Sequence, residues 1–447
     1  MLLGVNSPLY RLKLKDKYLY LLLVCSSSLW AQTISLEEIL EYASANAGVL
    51  KIKEIDALIE SKNVDSSMSA YYPTLNVVYN NEYTESLDGI PLGTESIGGI
   101  TISNGTRYQS SLALQLNYDL YHFGSTDKRV AIASHEFEIK RVEWCSQEKE
   151  LHQQILERYV SARKASIEKE YRQEMLNLRR ELYAIKERLY NAGKYSKVDL
   201  GDEAIYMIAL ERDIENLTMG YQEDIIRLSQ LSYMEFNKPV VLLPLNTNVK
   251  KVSLRNYDKT TEGIILKKRI EQKKDEISLA FREQLPSVGV YSNYYMYGSN
   301  PTEYDNAITE IENKSWNIGI ALRMNIFEGF KHSSNDARLK LELHRLELEL
   351  SDAQHNYSYE VDSKTTRLSE LSTLKEHEQH LLEENHKKRE MVNRLRKLKR
   401  VDSITQINTE YELIERELNI KIREIEAEFE HEMLNILNRG INECTQH

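Results

Sequence analysis

The chain states one plan twice. Each half runs helix, proline, alternating strand, polar loop, alternating strand, then a very long helix, a tight turn and a second long helix. In the first half Pro73 opens the strand pair, Leu120-Tyr121-His122-Phe123-Gly124 closes it, and Lys197-Val198-Asp199 marks the helical turn. In the second half Pro286, Ile326-Phe327-Glu328-Gly329-Phe330 and Arg400-Val401-Asp402 take those places. The spacing is 213 residues at the prolines, 206 at Tyr121 and Phe327, and 203 at Asp199 and Asp402. Similar but drifting offsets indicate a duplication with loops of different length, which limits the fold to arrangements two copies can share.

Helix breakers are confined to a few places. All seven prolines lie at or before Pro301, with none between Pro91 and Pro239, and no glycine occurs between Gly124 and Gly193 or between Gly329 and Gly440. With 28% charged residues, such stretches predict long, solvated, paired helices over 124–192 and 329–398, each roughly 100 Å at about 1.5 Å per residue. Returning helices are expected over 198–231 and 402–438. Steps of three and four residues join Leu178, Leu182, Ile185 and Leu189, and likewise Leu210, Ile214, Leu217 and Tyr221. Leu339, Leu343, Leu346 and Leu350, and Ile404, Ile407, Tyr411, Ile414 and Leu418, repeat the spacing, which is the seam of a coiled coil. The segments 35–71 and roughly 262–284 are helical in pattern, and 233–262, with Pro239 and Pro244, reads as an irregular segment joining two repeats, 32–245 and 263–440. A short tail, 441–447, follows.

The first 31 residues form a different kind of segment. Arg11, Lys13, Lys15 and Lys17 precede an apolar run from Tyr18 to Val24, and Ser26-Ser27-Ser28-Leu29-Trp30-Ala31 offers small residues for cleavage. This is a secretory signal pattern. A lipid-anchored alternative would use Cys25, but Val24 before it is a poor lipoprotein signal. Removing residues 1–31 takes away four basic residues and one acid and moves the net charge from −11 to −14. An exported acidic chain has no electrostatic case for nucleic acid. Cys145 and Cys444 then stand isolated, with no disulfide framework and no cysteine-based metal site. The mean hydropathy of −0.52 and the lack of an 18-residue apolar run after the leader exclude helical membrane spans.

Four segments alternate with period two: 75–84, 108–120, 287–297 and 315–326. Leu112, Leu114 and Leu116 face one way while Gln115 and Asn117 face the other, and Trp316, Ile318, Ile320 and Leu322 oppose Asn317, Gly319 and Ala321. A soluble sheet packed on a helix alternates in the same way. Three details favour a membrane barrel segment: strand lengths suited to crossing, charges (Glu82, Asp119, Arg323) kept to the polar face, and strand ends rich in Tyr and Trp. The apolar set is then lipid-facing. Four strands cannot close a barrel, and open edges cannot face lipid, so copies of the chain must share one.

The ordered, duplicated set resembles the TolC-like outer-membrane efflux protein family over essentially the whole mature length. Ser35-Leu36-Glu37-Glu38-Ile39-Leu40, Pro73-Thr74-Leu75, Pro286-Ser287-Val288, the two strand exits, and Gly193 six residues before Asp199 carry the resemblance. The resemblance implies a mainly α chain with membrane β: a homotrimer whose twelve-stranded outer-membrane barrel takes four strands per chain and continues as a helical coiled-coil tunnel across the periplasm. It implies an exit duct for a tripartite efflux or type I secretion system in a Gram-negative bacterium, with a periplasmic adaptor and an inner-membrane pump as partners. Drugs, metal ions and polypeptides all use such ducts, and the residues select none of them. The class alternative is a non-conducting, envelope-spanning structural coiled coil.

The resemblance also places the two helical turns at the periplasmic mouth. Asp199, Asp202 and Asp402, with Lys197, Lys399 and Arg400 close in sequence, are gate candidates, and helix capping is a compatible role for the aspartates. Gly193, Lys194, Tyr195, Ser196, Val198, Leu200, Val401 and Ser403 are the candidate adaptor contacts. Family strand exits resemble Leu-Phe-Asp-Gly-Gly, whereas here each keeps one glycine, and Arg396 or Lys397 is expected where Gly193 would correspond. His377 and His380 stand one residue short of the zinc-protease spacing, with His386 further on, and read as a solvated helix face. No nucleophile–base pair, metal site or cofactor motif is expected, and the chain does not read as an enzyme.

Overall fold

A computed structural model describes residues 32–83, 96–97, 100–101, 108–236, 239–245, 256–311 and 313–439. The expected signal segment with Cys25, most of the loop 85–107, part of 233–262 and the tail with Cys444 lie outside the described residues. In chain order the main elements are β1 (Gln32–Ile34), α1 (Leu36–Asn46), α2 (Gly48–Met68), β2 (Thr74–Tyr83), β3 (Tyr108–Tyr121), α3 (Ser125–Asn191), α4 (Lys197–Ser232) and β4 (Val240–Leu242). There follow α5 (Thr261–Arg282), β5 (Ser287–Asn300), α6 (Tyr304–Thr309), β6 (Asn313–Arg323), α7 (Lys331–Lys397) and α8 (Ser403–Leu437).

Backbone conformation sets where the long helices begin and end. Phe123 and Gly124 have φ of 51° and 75°, and Gly329 and Phe330 have φ of 59° and 64°. A right-handed helix cannot include such residues, so α3 starts at Ser125 and α7 at Lys331. Both helices have 67 residues and are related by a constant shift of 206. In the second repeat the last strand stops at Arg323, short of the expected 326.

The chain divides into two compact units. The first takes the described residues of 1–52, 144–261 and 355–447. Its core gathers Ile34, Ile39, Leu50, Ile155, Leu156, Tyr159, Leu228, Val240, Ile425 and Ile436 from the two short strands, α1, α2, α3, α4 and α8. β1 pairs in parallel with β4, and the buried Tyr159 hydroxyl shares its one proton between the Ile34 and Leu243 carbonyls, at 3.1 and 2.7 Å. Burial pushes the Tyr159 pKa up, so the phenol keeps the proton that makes these bonds. A capping box starts α1: Glu38 N–H donates to Ser35 Oγ and Ser35 N–H donates to the Glu38 carboxylate.

A polar chain crosses the same core. Arg439 Nη1 lies 2.7 Å from His152 Nδ1, His152 Nε2 lies 2.9 Å from Ser44 Oγ, and Ser44 Oγ lies 2.7 Å from Glu148 Oε1. Arginine only donates, so His152 accepts at Nδ1, donates from Nε2 to Ser44, and the Ser44 hydroxyl donates to Glu148. Sequence reading missed this feature, since it expected no serine–histidine–carboxylate grouping. The order is not that of a catalytic triad: the carboxylate contacts the serine instead of orienting the imidazole, and Ser44 is buried. The network fastens α1 and the end of α8 to α3. Cys145 is disulfide-bonded, which corrects the reading of it as isolated. Residue spacing could not show that pairing, because it depends on which distant segments the fold brings together.

The second unit takes the described residues of 53–143 and 262–354. Its antiparallel sheet has the order β2-β3-β5-β6. A bulge between Asp119 and Tyr121 sharpens the twist where β3 leaves the sheet. The short α6 lies on the sheet, with Ala307 fully buried and Tyr304 edge-on to Tyr108. Ion pairs lace α3, α5 and α7 together: Lys128–Asp275 at 2.6 Å, Lys268–Glu138 at 2.8 Å and Lys273–Glu342 at 3.0 Å. Each is partly exposed and contributes at most about 1 kcal/mol.

His152 supplies a pH prediction. Burial first, and then the Arg439 charge, lower its pKa from 6.5 to about 4. Between those values the unfolded chain takes a proton that the folded chain refuses, so stability is full above pH 6.5 and is lost as pH falls toward 4. The loss should reach on the order of 2–3 kcal/mol. Thermal melts at about pH 7 and about pH 4.5 should show a larger drop for the native chain than for His152→Gln. Equal drops would show that His152 is not held neutral.

Candidate functional site

Two places concentrate the candidate residues: the faces of the sheet and the pair of helical turns. Cross-strand register aligns Val77, Leu114, Tyr294 and Trp316 in one row, and these are 68, 41, 40 and 72% exposed. Leu75, Leu116 and Ile318 lie in the next row, and Leu112, Ile320 and Leu322 continue the same face. The opposite face carries Asn76, Gln115, Asn293 and Asn317 side by side, with Asn293 Nδ2 donating to Asn317 Oδ1 at 3.0 Å. A continuous exposed apolar face backed by a polar one does not suit water on both sides. β2 and β6 end the sheet, and among the described residues neither has a partner on its outer edge.

The turns share one backbone design. At the first, Gly193 N–H donates to the Tyr190 carbonyl and Lys194 N–H to the Leu189 carbonyl, both at 2.8 Å. At the second, Lys399 N–H donates to the Arg396 carbonyl and Arg400 N–H to the Leu395 carbonyl, at 2.8 and 2.9 Å. This is the Schellman ending, whose closing residue is left-handed: Gly193 at φ 70° and Lys399 at φ 56°. Lys399, and neither Arg396 nor Lys397, is therefore the counterpart of Gly193. The shift is 206, so Asp402 corresponds to Ser196 and Asp199 to Thr405. Matching aspartate to aspartate put the sequence offset three residues out.

The two acids cap their helices from different positions. Ser196 is the N-cap of α4: its Oγ accepts from Asp199 N–H at 3.1 Å and donates to Asp199 Oδ2 at 2.6 Å. Asp402 is itself the N-cap of α8, accepting at Oδ1 from Thr405 N–H at 2.9 Å and Oγ1 at 2.7 Å. The bond from Ser196 holds the Asp199 pKa below the usual carboxylate value, and the bonds from Thr405 do the same for Asp402. Among the described residues neither acid makes an ion pair with Lys197, Lys399 or Arg400. Asp202, Lys194, Lys197, Val198, Lys399 and Arg400 are exposed, whereas Tyr195, Leu200, Val401 and Ser403 are partly covered.

Glu203 was also missed by sequence reasoning. It is fully buried and holds Arg179 at 3.2 Å and Lys186 at 2.8 Å from the facing helix. The Arg179 guanidinium lies over the rings of Tyr411 and Tyr206, 4.3 and 5.3 Å from their centroids, which ties α8 to the α3–α4 pair. The signal was present: Glu203 stands seven residues before the seam residue Leu210, an acid where a heptad expects an apolar side chain. His377 and His380 are exposed, and among the described residues no three His, Cys, Asp or Glu groups are placed to hold a metal ion.

Removing these groups should have graded effects. Asp402→Ala should cost about 1 kcal/mol as a lost N-cap, and Lys399→Gly should stabilise by about 1 kcal/mol by relieving the left-handed lysine. Glu203→Ala should cost more, roughly 2–3 kcal/mol, because two partly buried cations lose their partner. Denaturant melts of the three variants check the order. Glu203→Ala melting with the native chain would make its ion pairs incidental.

A profile of the outer membrane efflux protein family matches residues 54–232. No curated protein sequence matches the chain. The fold is shared with solved structures over most of its length. CusC, from crystal structures concerned with folding and transmembrane channel formation, is 15% identical with a TM-score of 0.74, covering 91% of this chain and 92% of its own. VceC, an outer membrane protein of Vibrio cholerae, is 12% identical with a TM-score of 0.72, covering 91% and 96%. The MtrE outer membrane channel of Neisseria gonorrhoeae, in its open state, is 15% identical with a TM-score of 0.67, covering 92% and 91%. Identities this low speak for the fold alone. Over residues 54–232 the chain matches the outer membrane efflux protein family by sequence, and over nine tenths of its length it shares the fold of CusC, VceC and MtrE.

Proposed function

We propose that three copies of the chain form the exit duct of a tripartite efflux or type I secretion system, a passive conduit fed by an inner-membrane pump through a periplasmic adaptor. The observation that carries this reading is the sheet: four strands, one exposed apolar face, one polar face and two open edges. In hydrocarbon each unpaired backbone group costs several kcal/mol, so the edges of one copy must pair with those of the next, and the polar face then lines a lumen. Among the described residues no helix is long and apolar enough to cross a membrane.

In this reading Leu112, Leu114, Leu116, Trp316, Ile318, Ile320 and Leu322 meet lipid. The turns, with Gly193, Lys194, Tyr195, Ser196, Val198, Leu200, Val401 and Ser403, meet the adaptor. Asp199, Asp202 and Asp402, with Lys197, Lys399 and Arg400 nearby, restrict the resting pore. Capping supports this role for Asp199 and Asp402, since the cap bonds favour the ionised form and keep each carboxylate charged at neutral pH. A charged ring attracts multivalent cations from the periplasm.

Three measurements test the proposal. The purified protein should run as a trimer in detergent and conduct ions in planar bilayers; a membrane-inserted monomer, or trimers without conductance, would overturn it. Leu114→Arg should cost roughly 2–4 kcal/mol near the bilayer midplane and Gln115→Arg much less. Equal tolerance would place the sheet in water. Asp402→Ala should weaken block by multivalent cations, and unchanged block would leave both acids as caps alone.

A further inference from the structure

We infer that the second helical turn is a basic docking collar for an acidic tip of the periplasmic adaptor, with Arg394, Arg396, Lys397, Lys399 and Arg400 set around an exposed Leu398. The inference rests on the reading of the turns as adaptor contacts and names the chemistry of that partner. It begins from charge. Five of the seven residues from Arg394 to Arg400 are basic, in a chain that is acidic overall. Between 391 and 409 the single acid is Asp402, whereas the equivalent stretch of the first hairpin, 185–203, carries four cations and four acids. The two turns share a backbone design, so the excess of positive charge belongs to the second one alone.

Neither ion pairing nor helix stability accounts for these side chains. Higher up the same hairpin, cations meet acids across the two helices, Lys388 with Glu412 and Arg389 with Glu410. At the tip Arg394 reaches Glu390 at 3.7 Å, with both groups largely exposed. Arg396, Lys397, Lys399 and Arg400 are exposed and, among the described residues, make no ion pair. The negative end of α7 favours cations in its last turn, yet α3 ends in the same way with Arg188 alone. Lys399 and Arg400 lie past that turn, between the negative end of α7 and the positive end of α8, where the two dipoles oppose one another. Lys399 also takes the left-handed conformation that glycine takes at 193. The fold has no use for cations at these two places.

A partner gives them one. Leu398 is 64% exposed amid the cations, and Met391, two turns back along α7, is 64% exposed as well. An exposed apolar centre within an arginine-rich rim is the anatomy of a protein contact, whereas a diffusing anion needs the charge alone. Fixed cations on this turn call for carboxylates on the surface that faces them, and they steer that surface during its approach. The occupant is an acidic segment of the adaptor; an anionic lipid surface is the competing one.

Binding of the same organism's purified periplasmic adaptors to the full-length protein in lipid nanodiscs tests the collar. One adaptor should bind, and more weakly as salt rises from about 50 to about 500 mM. Replacing four tip cations together (Arg396→Gln, Lys397→Gln, Lys399→Gln, Arg400→Gln) should slow its association roughly 10-fold or more and flatten the salt dependence. Arg396→Lys with Arg400→Lys keeps the sign and should associate at nearly the native rate. Glutamates at the four positions should abolish binding, and lysines in place of the adaptor's tip acids should restore it. Native association and native salt dependence in the glutamine variant would overturn the collar. Gly201→Trp separates that result from failure of the adaptor reading, since it sets a bulky block beside the first turn, where an added Cβ meets nothing within 4 Å. If that block abolishes binding, the adaptor reading stands without the collar. If binding survives both changes, or no adaptor binds, the turns are not the contact and both readings fall. A glutamine variant with native adaptor binding but weaker retention on phosphatidylcholine vesicles containing phosphatidylglycerol would assign the charge to lipid and overturn the collar.

Discussion

The structure depends on one constraint, the backbone hydrogen bonds at the edges of a four-stranded sheet. β3 and β5 spend their N–H and C=O groups on neighbours, while among the described residues β2 and β6 each have a neighbour on one side only. In water such edges are tolerable. With a face of Leu, Ile, Val and Trp exposed beside them they are not, because the surroundings that suit the face offer the edges no partner. The barrel of several copies proposed above would resolve both demands at once. The polar ladder of Asn76, Gln115, Asn293 and Asn317 would then have a wet lumen to face.

The long helices answer a different demand. Met175 and Leu176 on α3 pack with Leu210 on α4, and the constant shift of 206 between α3 and α7 shows that the duplication kept register through 67 residues and into the turn. Against that register the repeats diverge in chemistry. Where the first has Gly193, Ser196 and Glu203, the second has Lys399, Asp402 and Thr409. The buried Glu203 and its two cations give the first hairpin a charged joint that reaches Tyr411 on α8, and Thr409, buried in its turn, bonds back to the Thr405 carbonyl. Equivalent backbones with unequal joints would let the two hairpins respond differently to a partner.

Much of this was legible before any coordinates. Period-two alternation assigned Leu114 and Gln115 to opposite faces because a strand has no other periodicity. Missing glycine and proline announced the helices for equally local reasons. The failures were non-local or lay in single dihedral angles. Aspartate was matched to aspartate at the turns, whereas the hydrogen bonds follow the left-handed residue, and a lysine in that role leaves no mark in sequence. Ser44, Glu148, His152 and Arg439 come together from distant parts of the chain, and only the i, i+4 pair on α3 is visible in the sequence. Phe123 and Phe330 read as lost glycines until their positive φ showed that the strained conformation had been kept.

Hydrogen–deuterium exchange on the protein in phospholipid vesicles tests the edge constraint most directly. The outward-pointing amides of β2 and β6 should exchange as slowly as those of β3 and β5, because each finds a carbonyl on a neighbouring copy. Rapid exchange along both edges, with β3 and β5 still protected, would mean that the sheet stays open and that copies of the chain do not close a barrel.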